Sequence, residues 1–360
     1  MSGKPEKKLT ENWRKIVPIK FSKCSEYTAN SSYKNLAVIA MPTFPDSLLK
    51  PCRLPPALQP EDLVMAIAPS GAVQATDTVE QGLAIWRKRG YRVELGNNYQ
   101  SRCGYLAGSD RQRRDDLAAA WHNPKCKAIV AVRGGYGGAR LLEDWSWRTT
   151  NYKWLIGFSD VTSLLWSLAT EGVSGLHAPV LTTLAAEPEW AIARMFDYLE
   201  TGRLDALQGK AGGGGKALGI LLPANLTVAT HLLQTSVQPN LRGAILALED
   251  VTEYPYRIDR MLTQWRMMGV FKQIKGIALG RFSRCEPYPG SNSWSIIEVL
   301  RDRLGDLNIP LIYDLPFGHD GVNAALPVGQ LVYLDGDTGV LNWNLNSAKI
   351  SNKDQPNSKI

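Results

Sequence analysis

The chain has 360 residues, of which 44% are hydrophobic and 21% charged, the composition of an ordinary globular protein. Its net charge of +7 is concentrated in residues 1–60, which carry ten Lys/Arg and four Asp/Glu, so the rest of the chain is near +1. A basic segment without a basic stripe on a folded face is weak evidence for nucleic-acid binding, and no stretch approaches the roughly 20 apolar residues of a membrane span. We therefore expect neither a nucleic-acid partner nor a membrane partner.

The five cysteines form an odd, scattered set without a C-x-x-C pair, which argues against a zinc site and against a disulfide framework. They are Cys24, Cys52, Cys103, Cys126 and Cys285. The N-terminal residues also lack an apolar signal core followed by a small-residue cleavage site. We therefore predict a cytoplasmic protein without a metal site.

In chain order, residues 1–58 mix Lys, Ser and Pro without periodicity, which predicts a poorly ordered basic extension. Residues 59–200 alternate apolar strands with amphipathic helices, which predicts βαβ units in a mainly parallel sheet. The predicted strands are Leu63–Ala68, Tyr91–Leu95, Lys127–Val132 and Trp154–Ile156, and the predicted helices are Asp77–Arg89, Ser109–His122, Ala139–Trp145 and Pro188–Gly202.

The run AGGGGKA at 211–217 predicts a glycine-rich linker over residues 201–218. A second domain, residues 219–345, follows it, and a polar tail covers residues 346–360. Its predicted strands are Gly219–Leu222, Gly243–Leu248, Gly276–Phe282 and Pro310–Tyr313, with helices from Asn225, Pro255 and Ser293 and a hairpin over Gln330–Leu341.

The segment KWLIGFSDVTSLLWSLAT at 153–170 has the pattern of a strand, a sharp turn and an amphipathic helix. Such a turn projects a serine from the carboxyl edge of a sheet, beside the backbone amides of a helix N-terminus, so Ser159 is the candidate nucleophile. The alternative is that Ser159 only caps the helix. The second glycine of the G-x-S-x-G motif is missing, which disfavours a standard α/β-hydrolase.

The glycine-rich loop RGGYGG at 133–138 follows the preceding strand at the same sheet edge. It matches neither G-x-G-x-x-G nor the Gly-Lys-Ser/Thr ending of a P-loop, which argues against a nucleotide site. Because glycine lets backbone amides approach a substrate closely, we expect the amides of Gly135 and Asp160 to form a two-donor oxyanion hole. The alternative is a tight turn without a ligand.

A serine nucleophile needs a base, and the chain has four histidines. His319 follows a predicted strand in a Gly-His-Asp-Gly loop and is favoured over His177, because catalytic groups concentrate on such loops. His122 and His231 lie in predicted helices and are expected to be structural. The carboxylate that orients the base is Glu249 or Asp250, both at the end of one predicted strand, and the residues themselves do not decide between them.

Six motifs in one order over residues 60–345 resemble the LD-carboxypeptidase family of serine peptidases. They are AIAPSG at 66–71, RGGYGGARLL at 133–142, LIGFSDVTSLL at 155–165, GLHAPV at 175–180, LALEDVTEYPYRIDRML at 246–262 and LPFGHDGVNAALPVG at 315–329. Residue by residue, the resemblance implies a triad of Ser159, Glu249 and His319, with oxyanion amides from Gly135 and Asp160.

The resemblance also implies an α/β fold with a mainly parallel-sheet N-terminal domain, a smaller β-rich C-terminal domain and an active site at their interface. It further implies a homodimer without a cofactor that acts on a small peptide. The implied reaction is hydrolysis of an L–D peptide bond that releases the terminal D-alanine of a murein tetrapeptide, a step of peptidoglycan recycling. Arg133 is the predicted contact for the free carboxylate of the substrate.

The chain departs from the family at Pro223-Ala224-Asn225-Leu226, where members usually have Gly-Gly-Asn-Leu. Proline removes an amide donor and fixes φ, which leaves the substrate open. One alternative is an immunity-type peptidase that cleaves a peptidyl-nucleotide antibiotic, with Trp190 stacking on the base. Another is a non-catalytic protein that binds muropeptides.

Overall fold

Two β-sheets organise the part of the chain that the structure describes. The computed structural model describes residues 50–148 and 152–344, so residues 1–49 of the predicted extension and the predicted tail at 346–360 lie outside the described residues. Strands and helices alternate through most of the chain. In chain order the strands are β1 Leu63–Ile67, β2 Arg92–Leu95, β3 Cys126–Ala131, β4 Trp154–Gly157, β5 Leu176–His177, β6 Leu207–Gln208, β7 Lys210–Gly213, β8 Lys216–Asn225, β9 Ala244–Val251, β10 Gly276–Ser283, β11 Leu311–Tyr313, β12 Leu326–Pro327, β13 Leu331–Asp335 and β14 Val340–Asn342.

The helices cover the faces of these sheets. They are α1 Thr76–Lys88, α2 Asp110–His122, α3 Gly138–Leu141, α4 Thr162–Thr170, α5 Leu181–Leu184, α6 Glu189–Thr201, α7 Leu226–Leu232, α8 Pro255–Met267 and α9 Ile296–Leu304. Three 3₁₀ helices complete the set, at Leu142–Asp144, Ser159–Val161 and Val270–Lys272. The predicted capping box of α2 is present, because Ser109 and Gln112 exchange hydrogen bonds.

The first sheet has the order β12-β5-β4-β3-β1-β2. Strands β1 to β5 are parallel, and β12 is antiparallel to β5. The central parallel strands β1, β3 and β4 are buried and apolar, as expected for a sheet covered by helices on both faces, whereas the edge strand β2 is partly exposed. The carboxyl ends of β4, β3 and β1 therefore meet along one edge, which carries the predicted serine and the glycine-rich loop.

The second sheet has eight strands in the order β6-β14-β13-β8-β9-β10-β11-β7. Its centre, β8 to β11, is parallel, and the antiparallel strands flank it on both sides. The predicted hairpin is present as β13 and β14. The predicted fold class is confirmed: a parallel-sheet N-terminal region is followed by a second sheet in the C-terminal region.

The two sheets share a core. One buried apolar cluster takes residues from α4 and from β8, including Leu164 and Leu222. The indole of Trp166 on α4 donates to the carbonyl of Pro223 on β8 at 3.0 Å. Strand β12 comes from the C-terminal half but pairs with β5 of the first sheet, at Leu326↔His177. These contacts fix the sheet edge that carries Ser159 against the edge that carries Glu249.

The structure corrects two boundaries. Residues 201–218 are not a free linker, because they contain β6, β7 and the start of β8. Gly212 and Gly214 lie so close to the backbone of Leu311 and Ile309 that a Cβ would clash there, so glycine serves packing rather than flexibility. Residues 50–58 belong to the fold as well: the Cys52 amide donates to the Gly329 carbonyl at 2.8 Å.

Helices long and apolar enough to cross a bilayer are absent from residues 50–148 and 152–344.

Candidate active site

Ser159 lies in the sharp turn that the sequence predicts between β4 and α4. Its φ is +62°, a left-handed conformation that is uncommon for a residue with a side chain and that costs on the order of 1–3 kcal/mol. Strained backbone of this kind concentrates at functional sites, and a helix cap does not need it, since capping residues have ordinary extended dihedral angles. The N-cap position of this turn is Phe158 and not Ser159, and it makes no side-chain capping hydrogen bond. The geometry is that of a nucleophile elbow.

Glycines in two neighbouring segments make room for this turn. A Cβ at position 134 would lie 3.0 Å from Cβ and 3.1 Å from Oγ of Ser159, so the glycine-rich loop passes directly against the serine side chain. A Cβ at Gly157 would lie 3.0 Å from a methyl group of Val161. The missing second glycine of the G-x-S-x-G motif therefore corresponds to Val161, and its methyl groups fill the space above the strand.

The backbone amides of Gly135 and Asp160, where the sequence predicts an oxyanion hole, have no backbone acceptor among the described residues. Gly135 has φ of +112°, which only glycine adopts readily, and its N–H has no acceptor among the described residues. Asp160 follows Ser159 in the first helical turn, where N–H groups have no intrahelical partner. Both amides belong to the loops that the sequence analysis selected.

The side chain of Asp160 connects the two loops. It is buried, and it accepts a 2.7 Å hydrogen bond from the Gly138 amide at the end of the glycine-rich loop. Burial raises the pKa of this carboxyl, and the hydrogen bonds from the loop amides act in the opposite direction. Arg113 ties the same loop from its other side, since its guanidinium donates to the Gly137 carbonyl at 2.7 Å and to the Pro69 carbonyl. The glycine-rich loop is thereby held by side chains on both sides.

Glu249, near the end of β9, and His319, in the loop after β11, form a hydrogen-bonded pair. Nδ1 of His319 lies 2.6 Å from Oε2 of Glu249. The Glu249 side chain is completely buried, and the His319 side chain is 15% exposed. A carboxylate bound to Nδ1 favours the tautomer with the proton on Nδ1 and leaves Nε2 as the acceptor. The pair is therefore arranged as a base with its orienting carboxylate.

Asp250 points away from His319 and has a different role. It accepts hydrogen bonds from the backbone and hydroxyl of Thr227 at 2.9 and 2.8 Å, at the start of α7. Burial raises the pKa of Asp250 to about 6. The structure thus separates the two acids that the sequence left open, with Glu249 on the imidazole and Asp250 on the helix.

Asn225 joins this carboxylate pair to the serine helix. Its Nδ2 donates to Glu249 at 3.3 Å and to Asp250 at 3.2 Å, and its Oδ1 accepts from the Val228 amide as the N-cap of α7. Its backbone amide donates to Oγ1 of Thr162 on α4 at 3.1 Å. The departure at Pro223-Ala224 thus leaves Asn225 in contact with both acids.

The histidine loop is held by glycine and asparagine. Gly318 has φ of +132° and donates to Oδ1 of Asn323 at 3.2 Å. The backbone amide of Asn323 in turn donates to Glu187 at 2.9 Å. These bonds fix the loop that carries His319 against the first sheet.

The His319 ring lies against the ring of Phe158, the residue before Ser159, with a centroid distance of 4.7 Å. The structure therefore brings the His319–Glu249 pair to the residue that precedes Ser159. His177 is close by, edge-on to Phe158 and Phe317, but it is fully buried. Burial lowers the pKa of His177 to about 3, and the proximity of His319 adds to this effect.

The remaining candidates lie apart from the triad. His122 and His231 are both exposed, although the apolar pattern of α7 favours a buried His231. Trp190 is 47% exposed and lines a cavity of about 790 Å³ between α6 and the outer strands of the second sheet, with Arg194 and Trp343. None of the triad residues lines that cavity. Arg133 lies next to Gly135 and lines another cavity, of about 470 Å³.

Sequence reasoning missed Asn225 and Arg113 as supports of the site. Their partners are separated from them by 24 to 44 residues, so no local spacing points to them. An unusual feature of Arg113 is its burial, at 1% exposure, which the helix pattern of α2 does not reveal.

Comparison with known proteins agrees with this site. The family models of the LD-carboxypeptidase N-terminal and C-terminal domains match residues 64–178 and 218–334. A Synechocystis sp. protein is 53% identical over 304 residues, which cover 84% of this chain and 100% of that protein. The murein tetrapeptide carboxypeptidase of Pseudomonas aeruginosa is 33% identical over 295 residues, which cover 78% of this chain and 94% of that enzyme.

Two solved structures have the same fold. The muramoyltetrapeptide carboxypeptidase from Oxalobacter formigenes has a TM-score of 0.69 and 28% identity, covering 78% of this chain and 97% of that one. The microcin C7 self immunity protein MccF, in complex with aspartyl sulfamoyl adenosine, has a TM-score of 0.71 and 20% identity, covering 80% of this chain and 97% of that one. From the domain matches and the relatives together, this chain belongs to the LD-carboxypeptidase family of serine-type peptidases.

Proposed function

We propose that the protein hydrolyses the L–D peptide bond before the terminal D-alanine of a murein tetrapeptide. The observation that carries the proposal is the pairing of His319 with buried Glu249 at the ring of Phe158, one residue before the strained Ser159. The relatives named as murein peptide carboxypeptidases and the muramoyltetrapeptide carboxypeptidase structure support this substrate class.

The reaction begins with attack of Ser159 Oγ on the scissile carbonyl carbon. Nε2 of His319 takes the hydroxyl proton while the Oγ–C bond forms, and Glu249 stabilises the imidazolium through Nδ1. The carbonyl oxygen becomes an oxyanion and is bound by the amides of Gly135 and Asp160. Fixed backbone donors suit this role because they need no reorganisation as the charge develops.

Collapse of the intermediate breaks the C–N bond, and His319 returns its proton to the leaving amine. The D-amino acid departs and leaves an ester on Ser159. Water then attacks the ester carbonyl, gives its proton to His319, and the C–Oγ bond breaks, so the shortened peptide leaves as a carboxylic acid and Ser159 recovers its proton. Arg133, beside Gly135, is the residue proposed to attract the negative charge of the substrate.

The test is incubation with defined murein tri-, tetra- and pentapeptides, followed by mass analysis of the products. We expect D-alanine and a tripeptide from the tetrapeptide, and no release from the tripeptide. Ser159→Ala should bind the tetrapeptide but release no D-alanine, whereas exposed Ser291→Ala should match the wild type. Full activity of the Ser159→Ala protein would overturn the proposal.

A peptidyl-nucleotide substrate is the alternative outcome of the same experiment. The likeness to MccF is one of fold, and Trp190 lines a cavity that none of the triad residues lines. Turnover of an aminoacyl sulfamoyl adenosine with no turnover of murein peptides would assign this class instead. The cytoplasmic location and the homodimer remain predictions.

A further inference from the structure

A cavity of about 470 Å³ opens beside the oxyanion loop, at the carboxyl ends of β3, β1 and β2. Its size is within the range of small-ligand pockets. The chain runs from β1 outward to β2 and then returns across β1 to β3, so the strand order reverses between β1 and β3. Crevices at such switch points are where α/β sheets bind ligands. The position of the cavity therefore indicates a binding site.

This cavity adjoins the atoms that react. Gly135 lines it, and the neighbouring Gly134 lies directly against the side chain of Ser159. The guanidinium of Arg133 lies along Gly71 and Gly135, with Nη1 3.2 Å from the place where a Cβ of Gly135 would be. A group bound here would thus lie beside Gly135, one of the two residues of the proposed oxyanion hole.

The charged side chains that line this cavity are both positive. Arg102 and Arg133 line the cavity, and no acidic side chain does. Arg133 Nη1 donates to the Ala72 carbonyl and Arg102 Nη2 to the Val73 carbonyl, each at 3.2 Å. Neither arginine has a carboxylate partner among the described residues. Two guanidinium groups without a carboxylate, each with further N–H donors, are suited to hold an anion.

Two tyrosines line the same cavity. The rings of Tyr105 and Tyr136 lie 5.8 Å apart at an angle of 56°, and the side chains are 67% and 51% exposed. Exposed aromatic rings beside a basic pocket provide flat apolar surfaces for the backbone and methyl groups of a peptide. The pair therefore narrows the pocket without neutralising its positive charge.

We propose that Arg102 and Arg133 form a pocket for a peptide carboxylate next to the scissile bond, and that this pocket sets the preference of the enzyme for its substrate. The inference rests on the proposed hydrolysis at Ser159. Two groups offer this chemistry: the C-terminal carboxylate of the leaving residue, and a side-chain carboxylate of the residue that is transferred to the serine. Arg102 and Tyr105, on the loop after β2, are the parts of the site that the catalytic motifs do not include.

The experiment measures kcat and KM for three forms of one tetrapeptide: the free acid, the C-terminal amide, and a form amidated only on the side-chain carboxylate of the third residue. The variants are Arg102→Met, Arg133→Lys and the double variant Arg102→Met/Arg133→Met. Arg242→Met is the matched control, because Arg242 is an exposed arginine at the opposite end of β9 from Glu249.

For the wild type, we expect kcat/KM to be about 10- to 100-fold lower with one of the two amidated peptides than with the free acid. The difference should lie mainly in KM, as loss of a charged hydrogen-bonded pair predicts. Which amide does so identifies the carboxylate that is bound. The double variant should lose most of this discrimination and treat the acid and that amide alike, and Arg102→Met and Arg133→Lys should each lose part of it. Arg242→Met should discriminate as the wild type does.

Equal turnover of all three peptides by the wild type would overturn the inference, as would unchanged discrimination in the folded double variant. Either result would leave the proposed hydrolysis intact, because that proposal fails only if Ser159→Ala stays active or murein peptides are not cleaved. The exposed position of Arg102 keeps Arg102→Met informative even where Arg133 variants fold poorly.

Discussion

The two sheet edges that face the cleft are built by different means. The groups that the first edge presents are set by backbone conformation, with Ser159 at φ +62°, Gly135 at φ +112° and Gly134 close to the serine, while the side chains of Asp160 and Arg113 hold the loop from behind. The second edge is a matter of side chains, since Glu249, Asn225 and His319 are held by hydrogen bonds between carboxylate, amide and imidazole. We therefore expect catalytic activity to be lost when the backbone conformation of the first edge is disturbed. In the second edge, replacement of a single side-chain atom should be enough.

The largest loss of kcat is expected from a one-atom substitution in the second edge. Glu249→Gln keeps the shape of the side chain but removes the charge that fixes the His319 tautomer, so kcat should fall by about 10⁴-fold. Glu253→Gln, which breaks one surface pair with Arg257, is the control and should leave kcat unchanged. Equal kcat values for the two variants in steady-state assays would show that Glu249 does not orient the base.

In the first edge, a substitution that removes no functional group should still lower kcat. In Gly135→Ala the new Cβ meets Nη1 of Arg133 and Cα of Gly71 at 3.2 Å, at a φ that alanine tolerates poorly. The Gly135 amide should then shift, and kcat should fall by about 10²- to 10³-fold. Gly172→Ala, at φ +70° with open space around it, carries the backbone strain without the contact and should keep full activity. Normal kcat of the folded Gly135→Ala protein would exclude this amide from the oxyanion hole.

Asn225 tests the connection between the edges. Asn225→Ser keeps a side-chain oxygen for the α7 cap but removes the Nδ2 group that donates to both acids. We expect kcat to fall by about tenfold and the free energy of unfolding by about 1–3 kcal/mol, because buried Glu249 loses a hydrogen bond. Urea unfolding and kinetics of the same preparation measure both, with the half-buried Asn240→Ser as control. A loss of stability without any loss of kcat would make Asn225 a purely structural residue.

His177 should give the smallest effect on activity and a specific effect on stability. Its pKa is lowered to about 3 by burial, against an ordinary value near 6.5, so between these pH values the unfolded chain binds one more proton than the folded one. The free energy of unfolding should therefore decrease as the pH falls below about 6.5, by up to about 1.4 kcal/mol per pH unit from this residue.

His177→Phe removes that proton and keeps an aromatic ring between Phe158 and Phe317, so stability should depend less steeply on pH while activity at pH 7 stays within a few fold. Urea unfolding at pH 7, 6 and 5 measures the slope. The exposed His122→Phe variant should keep the slope of the wild type. Loss of kcat in folded His177→Phe protein would make His177, and not His319, the base.

The two sheet edges also differ in how much of them the sequence predicts. Ser159, the glycine-rich loop and the parallel sheet were accessible because turns, glycines and apolar runs are local signals. The choice between Glu249 and Asp250 was not accessible from local signals. Neighbouring residues on a strand face opposite sides, and only the packing of the whole sheet decides which side faces the site. The predicted linker at 201–218 is wrong for a related reason, because glycine also occurs where two backbones approach closely, as at Gly212 and Gly214.

The central claim is that Ser159 is activated across the cleft by His319, and the most direct measurement is covalent labelling with a fluorophosphonate followed by peptide mass mapping. The account predicts a single adduct on Ser159 in the wild type and labelling slower by at least about 10³-fold in His319→Ala. An adduct on another residue, or labelling of Ser159 at an unchanged rate in His319→Ala, would contradict it.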